Sequence, residues 1–417
     1  IDDFGRLIKL FILAGAAFSL LIGWRWLMND GTGVFEIPVL VIFAVIGMTQ
    51  MVAANNLVVL FLGLELQNLA LYVLASSQRE TRRSSEAGLK YFVLGALSSG
   101  LLLYGMSLIY GFTGALGYDA IANNINNGQA GGVMSFGLLF GLIFVIVGIG
   151  FKISAVPFHM WTPDVYEGAP TPITNFFAVV PKMAGFAVLM RLLAQVFGEF
   201  ATEAQQILIA LSMASMVVAS LAAINQRSIK RLMAYSAISH VGYGLIGLVG
   251  NGVESYAATL VYLGIYIPMT LGTFGCILVL SRDGKPFDEL SDLAGLAKYH
   301  PWLAAALTVF MFSMAGIPPL AGFFSKLYIF RTAMNNNLVG LAVVGVLASV
   351  VSAYYYCRII KLIYFDAPTK GKLDPIPREV AWVIAITAII VVVFVLAPNG
   401  FIELARNAAG DLWNGIE

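Results

Sequence analysis

The sequence predicts an all-α protein that crosses a membrane about twelve times. Of its 417 residues, 59% are hydrophobic and 11% are charged, whereas a soluble domain carries roughly 25% charged residues. The apolar residues fall in long runs, and a bilayer core about 30 Å thick needs roughly 20 of them per helix. These runs lack the period-two alternation of transmembrane strands, so helices are favoured over a barrel.

The composition also excludes several classes of function. Lys and Arg number 24 and Asp and Glu 23, for a formal net charge of +1, so the basic field of a nucleic-acid-binding protein is missing. The two cysteines, Cys276 and Cys357, lie in separate apolar runs. They provide neither a disulfide framework nor a four-ligand zinc site. We therefore expect no metal site and no nucleic-acid partner.

Twelve apolar runs meet the length criterion for a transmembrane helix. They are 7–28, 35–53, 56–77, 87–112, 133–159, 173–197, 204–225, 229–250, 254–281, 301–333, 338–365 and 380–397. The tail after Ala397 is predicted to form a short interfacial helix or a capping segment. The stretch 117–132 is rich in Asn and Gly and is predicted to be an exposed loop.

The basic residues separate by the parity of the connections between these runs. One set of loops holds Arg79, Arg82, Arg83, Arg227, Lys230, Arg231, Arg282, Lys285, Lys298, Lys370, Lys372 and Arg378. The opposite set holds Arg6, Lys9, Arg191, Arg331 and Arg406. By the positive-inside rule, the first set is cytoplasmic and both termini lie on the periplasmic side.

Ionisable residues within the predicted spans are the main functional signal. They are Glu65, Lys90, Lys152, Lys182, His240 and Lys326. A charge at the centre of a bilayer costs about 2.5–3.5 kcal/mol, so these side chains are expected to face a hydrated or paired interior. Removing an amine from water favours its neutral form, and a row of buried lysines can therefore relay protons. Snorkelling or a static ion pair is the alternative for Lys90, and a purely structural hydrogen-bonding role is an equal alternative for His240.

Two of the spans contain helix-breaking residues beside a lysine. The breakers are Pro157, in the run 133–159, and Gly316, Pro318 and Pro319, in the run 301–333. Proline removes a backbone donor and clashes with the preceding turn, and a membrane tolerates this where water or protein satisfies the freed carbonyls. We therefore expect discontinuous helices next to Lys152 and Lys326.

The broken spans fit an internal repeat. Spans two to six and seven to eleven form two five-helix units, with the broken span fourth in each, and the odd number makes the repeat inverted. The predicted divisions are an N-terminal helix at 1–34, a first repeat at 35–200, a second at 201–366, and a last helix with its tail at 367–417.

Four motifs carry a resemblance to a known family. They are Phe61-Leu-Gly-Leu-Glu65-Leu; Gly150-Phe-Lys152-Ile-Ser-Ala-Val-Pro157-Phe-His159-Met-Trp161-Thr-Pro-Asp164-Val-Tyr166; Ala234-Tyr-Ser-Ala-Ile-Ser-His240-Val-Gly-Tyr243; and Gly316-Ile-Pro-Pro-Leu-Ala-Gly-Phe. Together they resemble the antiporter-like subunits of respiratory complex I. The segment 161–172 is similar to the N subunits, counterparts of mitochondrial subunit 2. Lys326 points away from the M subunits, and the lack of a long lateral helix points away from the L subunits.

The resemblance implies a role for each ionisable residue. Glu65 and Lys152 resemble the Glu–Lys pair of the family, and Lys182 resembles its central connecting lysine. His240 resembles a polar link of the central axis. Lys326 resembles the terminal lysine that exchanges protons with the far side. Lys90 matches a further family lysine. The family has fourteen helices, which implies two more before Ile1.

The function implied by the resemblance is proton translocation in the membrane arm of NADH:quinone oxidoreductase, in the inner membrane of a bacterium. It implies no cofactor in this subunit, with NAD, FMN, iron–sulfur clusters and quinone in the rest of the complex. It also implies subunits M and K as neighbours, together with lipids. Two alternatives remain: a subunit of a multisubunit cation/proton antiporter, and a structural scaffold with inert buried ion pairs.

Overall fold

The computed structural model describes residues 2–29, 35–127, 136–250, 252–282, 284–368 and 371–414. Over these ranges the chain forms helices and one two-stranded hairpin, in which β1 (Ser281–Arg282) pairs antiparallel with β2 (Lys285–Pro286). The helices of the first half are α1 (Asp3–Asn29), α2 (Glu36–Ala53), α3 (Leu57–Ala75), α4 (Arg82–Thr113), α5 (Tyr118–Asn126), α6 (Phe136–Ile153), α7 (Thr162–Gly168) and α8 (Thr171–Gln195). Those of the second half are α9 (Ala201–Ile224), α10 (Ile229–Val249), α11 (Val253–Leu278), α12 (Leu296–Tyr299), α13 (Pro301–Ala315), α14 (Ala321–Asn335), α15 (Val339–Phe365), α16 (Arg378–Val393) and α17 (Asn399–Asn414).

Eleven helices among the described residues are long and apolar enough to cross a membrane. They are α1 to α4, α6, α8 to α11, α15, and α16 with the 3₁₀ turn that follows it. The remaining predicted run, 301–333, is divided into α13 and α14 by the non-helical residues 316–320. The prediction of an all-α, multi-pass membrane protein is therefore confirmed, and so is the break at Gly316, Pro318 and Pro319.

Three helices form the centre of the molecule. In α8, α10 and α11 about nine-tenths of the residues in the apolar 18-residue stretch of the helix are buried, whereas in α16 the buried share of that stretch is 28%. The outer helices leave large apolar side chains exposed, such as Leu97 on α4 and Val350 on α15. A helix that is apolar all round is typical of a buried position. Polar side chains on the three central helices are consequently removed from both water and lipid.

Close helix packing and caps explain several element ends. A Cβ at Gly63 of α3 would lie 2.8 Å from the carbonyl oxygen of Gly47 on α2, so these two helices approach at a contact that needs small residues. The side chain of Asn56 accepts a hydrogen bond from the amide of Val58 and caps α3. Gly114, with φ of 66°, ends α4 in the left-handed conformation.

Two sequence predictions need correction. The stretch 117–132 is not simply an exposed loop, because it contains α5, whose side chains Tyr118, Ile121 and Ile125 are buried on one face. The sequence has apolar residues there at helical spacing, but the many asparagines around them favoured the prediction of a loop. Residues 128–132 lie outside the described part. The span 133–159 is also too long: α6 ends at Ile153, and Ser154 adopts φ of 69°.

The predicted tail helix is present. α17 packs against α1 and α11, and its Ala405, Ala408 and Leu412 are buried. Arg406 of this helix pairs with Glu254 on α11, with Nε 3.0 Å from Oε2. α17 thus covers one end of the central helices.

Loops of the same predicted parity meet at one end of the molecule. Arg83 pairs with Asp288 at 3.6 Å, and Ser228 forms a backbone bridge with Glu289. We call this end the basic face, because loops of the larger predicted basic set meet there; Lys370 lies outside the described residues. At the other end, Arg191 pairs with Asp2 at 2.8 Å.

Candidate functional site

Lys152 lies in the last turn of α6, immediately before the break in this helix. Its side chain is 3% exposed, and its Nζ lies 5.1 Å from the ring centroid of Phe151 and 5.9 Å from that of Tyr72. The indole of Trp161, beyond the break, donates to the carbonyl of Phe151 at 3.0 Å. The break therefore has its freed carbonyl satisfied by protein, as a discontinuous membrane helix requires. The amine of Lys152 has no hydrogen-bond partner among the described residues.

Glu65 lies on α3 near Lys152 but does not pair with it directly. The amide of Asn68 donates to Glu65 Oε1 at 3.1 Å and to Ser99 Oγ at 3.2 Å. The carboxylate is close enough to act electrostatically on Lys152. In this structure the predicted Glu–Lys pair therefore interacts through charge without a direct contact, and Asn68 hydrogen-bonds the carboxylate.

Three aromatic side chains separate Lys152 from Lys182. The ring centroids of Phe151 and Trp161 are 5.6 Å apart, and those of Trp161 and Tyr166 are 6.4 Å apart. Lys182 Nζ lies 5.8 Å from the Tyr166 centroid. We call Phe151, Trp161 and Tyr166 the aromatic wall.

Lys182 lies in the middle of α8, directly after Pro181. It is 2% exposed, and its Nζ has no hydrogen-bond partner within the part that the structure describes. An unpaired ammonium group at this depth costs several kcal/mol, so the site suits an amine that can be neutral. A small cavity joins Lys182 to His240, Tyr262 and Tyr266.

His240 on α10 engages both of its ring nitrogens. Nδ1 lies 2.5 Å from the hydroxyl of Tyr262, and Nε2 lies 3.3 Å from the hydroxyl of Tyr356. The Tyr356 hydroxyl in turn lies 2.5 Å from Ser236 Oγ. This chain of groups can pass a proton by exchanging donor and acceptor roles, and it equally satisfies a structural histidine.

Lys326 lies in the first two turns of α14, just after the second break. Its Nζ donates to the carbonyls of Met314 and Ala315 at 2.9 and 3.2 Å and to Ser349 Oγ at 2.9 Å. These carbonyls belong to the last turn of α13, which ends at Gly316 with φ of 84°. The break therefore creates acceptors for a cation at the negative end of the helix dipole.

Tyr243 connects the central histidine to this lysine. The His240 and Tyr243 ring centroids are 6.1 Å apart, and Lys326 Nζ lies 4.6 Å from the Tyr243 centroid. Lys152, Lys182, His240 and Lys326 thus follow one another through the buried centre. We call this series the polar axis, with Glu65 beside its first member.

The structure does not bring Lys90 into the polar axis. This side chain is 41% exposed, and its Nζ pairs with Glu86 at 2.8 Å and Asp164 at 2.6 Å. Arg231 on α10 also binds Asp164, at 2.6 Å, and reaches Glu167 at 3.0 Å. We call these five residues the ion cluster; the sequence alternative of an ion pair describes Lys90 best.

Electrostatics stabilise the ion cluster. Partial burial works to raise the pKa of Asp164, but the hydrogen bonds and charges of Lys90 and Arg231 outweigh it and hold that pKa below its usual range. Sequence reasoning did not single out Asp164, Glu167 and Arg231. The signal was the spacing of two acids three apart in α7, which places them on one helix face.

Comparisons with known proteins agree with this arrangement. The family model described as NADH:quinone oxidoreductase/Mrp antiporter, transmembrane, matches residues 54–352. The chain belongs to this family. The resemblance drawn from the four motifs is therefore confirmed at the level of the family.

The relatives of the antiporter family include NADH-quinone oxidoreductase subunit N of Rhodospirillum rubrum, which is 53% identical over 99% of this chain and 84% of the relative. Subunit N 1 of Rhizobium meliloti is 50% identical over 98% of this chain and 84% of its own length. A chain of respiratory complex I from Thermus thermophilus with bound aureothin is 33% identical, with a TM-score of 0.82, over 97% of this chain and 87% of that one. The Mrp complex from Dietzia sp. is 20% identical with a TM-score of 0.89, over 100% and 84%, and shows the fold alone.

In the described ranges, no group of three His, Cys, Asp or Glu side chains could hold a metal ion. Cys276 is buried and Cys357 exposed, and both are free.

The ion cluster should hold α7 against α4 and α10. We expect Arg231→Gln to loosen α7, because Asp164 and Glu167 lose their shared cation. For a partly exposed ion pair, the free energy of local opening of α7 should fall by about 1 kcal/mol, which corresponds to about fivefold faster amide exchange. Hydrogen–deuterium exchange of α7 in the assembled complex measures this. Arg406→Gln, which removes an ion pair at the opposite end of the molecule, is the control. Equal exchange of α7 in both variants would show that the ion cluster does not hold this helix in place.

Proposed function

We propose that this chain is a proton-translocating membrane-arm subunit of NADH:quinone oxidoreductase, with no redox centre of its own. The observation that carries the proposal is the polar axis, in which two buried lysines have no hydrogen-bond partner among the residues that the structure describes. A static scaffold has no reason to keep two unpaired amines at membrane depth. Support also comes from relatives named NADH-quinone oxidoreductase subunit N that are about half identical over nearly the whole chain.

The proposed mechanism is electrostatic. A charge change arriving from a neighbouring subunit alters the interaction between Glu65 and Lys152, so that Lys152 releases its proton towards Lys182. The aromatic wall separates these amines, and the cavity beyond Lys182 leads to His240. Lys326, held by the carbonyls at the second break, then expels a proton to the far side.

The wider assignments belong to the same proposal. The chain would lie in a bacterial inner membrane beside subunits M and K and lipids, with both termini periplasmic and the basic face cytoplasmic. NAD, FMN, iron–sulfur clusters and quinone would be bound by other subunits. The proposed divisions of the chain remain 1–34, 35–200, 201–366 and 367–417. In the two proposed repeats, Lys152 and Lys326 both lie beside the carboxyl end of the first half of a broken helix.

The antiporter alternative is less well supported. The Mrp complex from Dietzia sp. shares the fold at 20% identity, whereas the N-subunit relatives share about half of their residues. An antiporter subunit would exchange sodium for protons without NADH, and an inert scaffold would respond to charge removal through assembly alone.

Glu65→Gln tests the proposed function. We expect NADH-driven proton uptake by inverted membrane vesicles to fall about tenfold, because Lys152 loses the charge that acts on it. Assembly is confirmed on a native gel, and NADH oxidation by an artificial acceptor controls for the redox arm. Glu36→Gln is the matched control, since Glu36 lies exposed at the start of α2 and pairs with Arg79 at 3.5 Å. Unchanged uptake in assembled Glu65→Gln complex would argue against the mechanism.

A further inference from the structure

A cavity at the surface of the helix bundle lies outside the polar axis. It has a volume of about 370 Å³ and is lined by side chains of α11, α14, α17 and the link between α16 and α17. α17 lies at the end of the molecule opposite the basic face, since its Asp411 accepts a hydrogen bond from the amide of Asp3 at the start of α1. We call this cavity the interfacial groove.

The lining of the interfacial groove changes from apolar to charged along α14. Phe324, Leu327 and Arg331 line it, and their spacing of three and four residues places them on one face of this helix. α14 ends at Asn335, so Arg331 lies about 6 Å before the end of the helix and Phe324 about 16 Å before it. One leaflet of a bilayer changes in the same order, from acyl chains to charged headgroups.

The apolar part of the groove faces outwards. Leu327 is 50% exposed, and beside the lining residue Phe394 the side chains of Val393 and Leu396 are 47% and 82% exposed. Lipid tails are as apolar as leucine. This part of the groove can therefore hold an acyl chain.

The charged part of the groove contains one ion pair and two further charges. Arg406 donates from Nε and Nη2 to the two carboxylate oxygens of Glu254, each at 3.0 Å, and the hydroxyl of Tyr328 adds a hydrogen bond at 2.7 Å. Arg331 and Glu403 are exposed lining residues without an ion pair among the residues that the structure describes. The groove thus offers one cation and one anion to a ligand.

We propose that the interfacial groove binds one phospholipid with an ammonium headgroup, a phosphatidylethanolamine. An acyl chain lies along Phe324 and Leu327, the phosphate pairs with Arg331, and the ammonium pairs with Glu403. Both pairs join opposite charges through charge-assisted hydrogen bonds. A free phosphate ion would leave the apolar part unfilled, and a glycerol headgroup would leave Glu403 without a cation.

This inference goes beyond the proposed function, because it requires only that the chain lies in a membrane. Lys326 is buried on a different face of α14, so a lipid in the groove packs against this half-helix without entering the polar axis. The lipid site and the proton relay can therefore be tested separately.

Photolabelling in liposomes tests the site. Assembled complex in liposomes of phosphatidylethanolamine and phosphatidylglycerol is irradiated with a trace of phosphatidylethanolamine that carries a diazirine in an acyl chain. We expect labelled peptides from 324–331 and 394–402, and about fivefold less label there in Arg331→Gln, which loses one exposed charge pair. Leu327→Trp should also lower the label, because it fills the apolar part and keeps every charge.

Arg6→Gln is the matched control, since Arg6 is an exposed arginine at the same end of the molecule that pairs with Asp3 at 2.7 Å. This variant should be labelled like the wild type. Absence of label from both peptides, as expected if a neighbouring subunit covers the groove, would overturn the proposal. So would equal label in Arg331→Gln and Arg6→Gln.

A second lipid tests the headgroup. Phosphatidylglycerol with the same diazirine shares the phosphate and lacks the ammonium, so in wild-type complex it should label the groove about fivefold less. Glu403→Gln should abolish this difference between the two lipids, whereas Arg331→Gln should lower the label from both. Equal labelling of the wild type by the two lipids would overturn the assignment. Because labelling needs no NADH, these outcomes do not depend on whether Lys326→Ala pumps.

Discussion

We expect NADH-driven proton uptake to fall by at least about a hundredfold when Lys326 is replaced by alanine, because a positioned proton-transfer group contributes about 10²–10⁴ in rate. Lys326 is the last titratable member of the polar axis, and its amine is held by two carbonyls and Ser349. Alanine removes the group that receives and releases the proton. Uptake by inverted vesicles containing the assembled complex measures the loss.

Two further variants separate proton transfer from structure at this position. Lys326→Arg keeps a cation with donors for the same carbonyls, but a guanidinium does not deprotonate in proteins, so pumping should stay lost. Lys361→Ala removes an exposed lysine near the end of α15 that pairs with Asp366 at 3.1 Å. Complex with this variant should pump normally. Full pumping in Lys326→Arg would mean that only the charge matters and would favour the scaffold.

Lys152→Ala should be the second variant with a loss of about a hundredfold or more in pumping. The amine of Lys152 makes no hydrogen bond within the described part of the chain, so its removal leaves no donor or acceptor there newly unpaired and should permit assembly. We expect NADH oxidation by an artificial acceptor to survive, while proton uptake and quinone reduction fall together.

The control for Lys152 is a lysine outside the membrane-spanning helices. Lys298→Ala changes an exposed side chain that contacts the ring of Tyr299, and it should leave pumping and acceptor activity at wild-type levels. If Lys152→Ala pumps as well as Lys298→Ala, the relay through the polar axis is wrong.

The crossing helices and the second break could be predicted from the sequence because both depend on local properties. An apolar run of about twenty residues spans a bilayer whatever its neighbours are, and proline breaks a helix through its own backbone. The family was recognisable for a similar reason, since its motifs are contiguous in the chain. The helix α5 was not predicted, because three apolar side chains among asparagines give only a weak local signal. Burial of these side chains against the rest of the molecule is what stabilises the helix.

The unusual residues of the polar axis were visible in the sequence, but their partners were not. A lysine within an apolar run stands out through the cost of its charge in lipid. Nothing local to Lys90 shows that Asp164 and Arg231 will meet it, because these residues come from three different helices. Glu65 differs, because its hydrogen-bond partner in this structure is Asn68, one turn along the same helix, rather than Lys152.

By itself, the sequence determined that this protein lies in a membrane as a bundle of helices and that it belongs to an antiporter-like family. It also determined that two of the helices are broken, each with a lysine beside the break. The tertiary structure decided which polar atoms face each other: Lys326 with the carbonyls of α13, and His240 with two tyrosines. Hydrophobicity and backbone breaks act over a few neighbouring residues. The meeting of polar groups depends on the rotation and register of helices that are far apart in the chain.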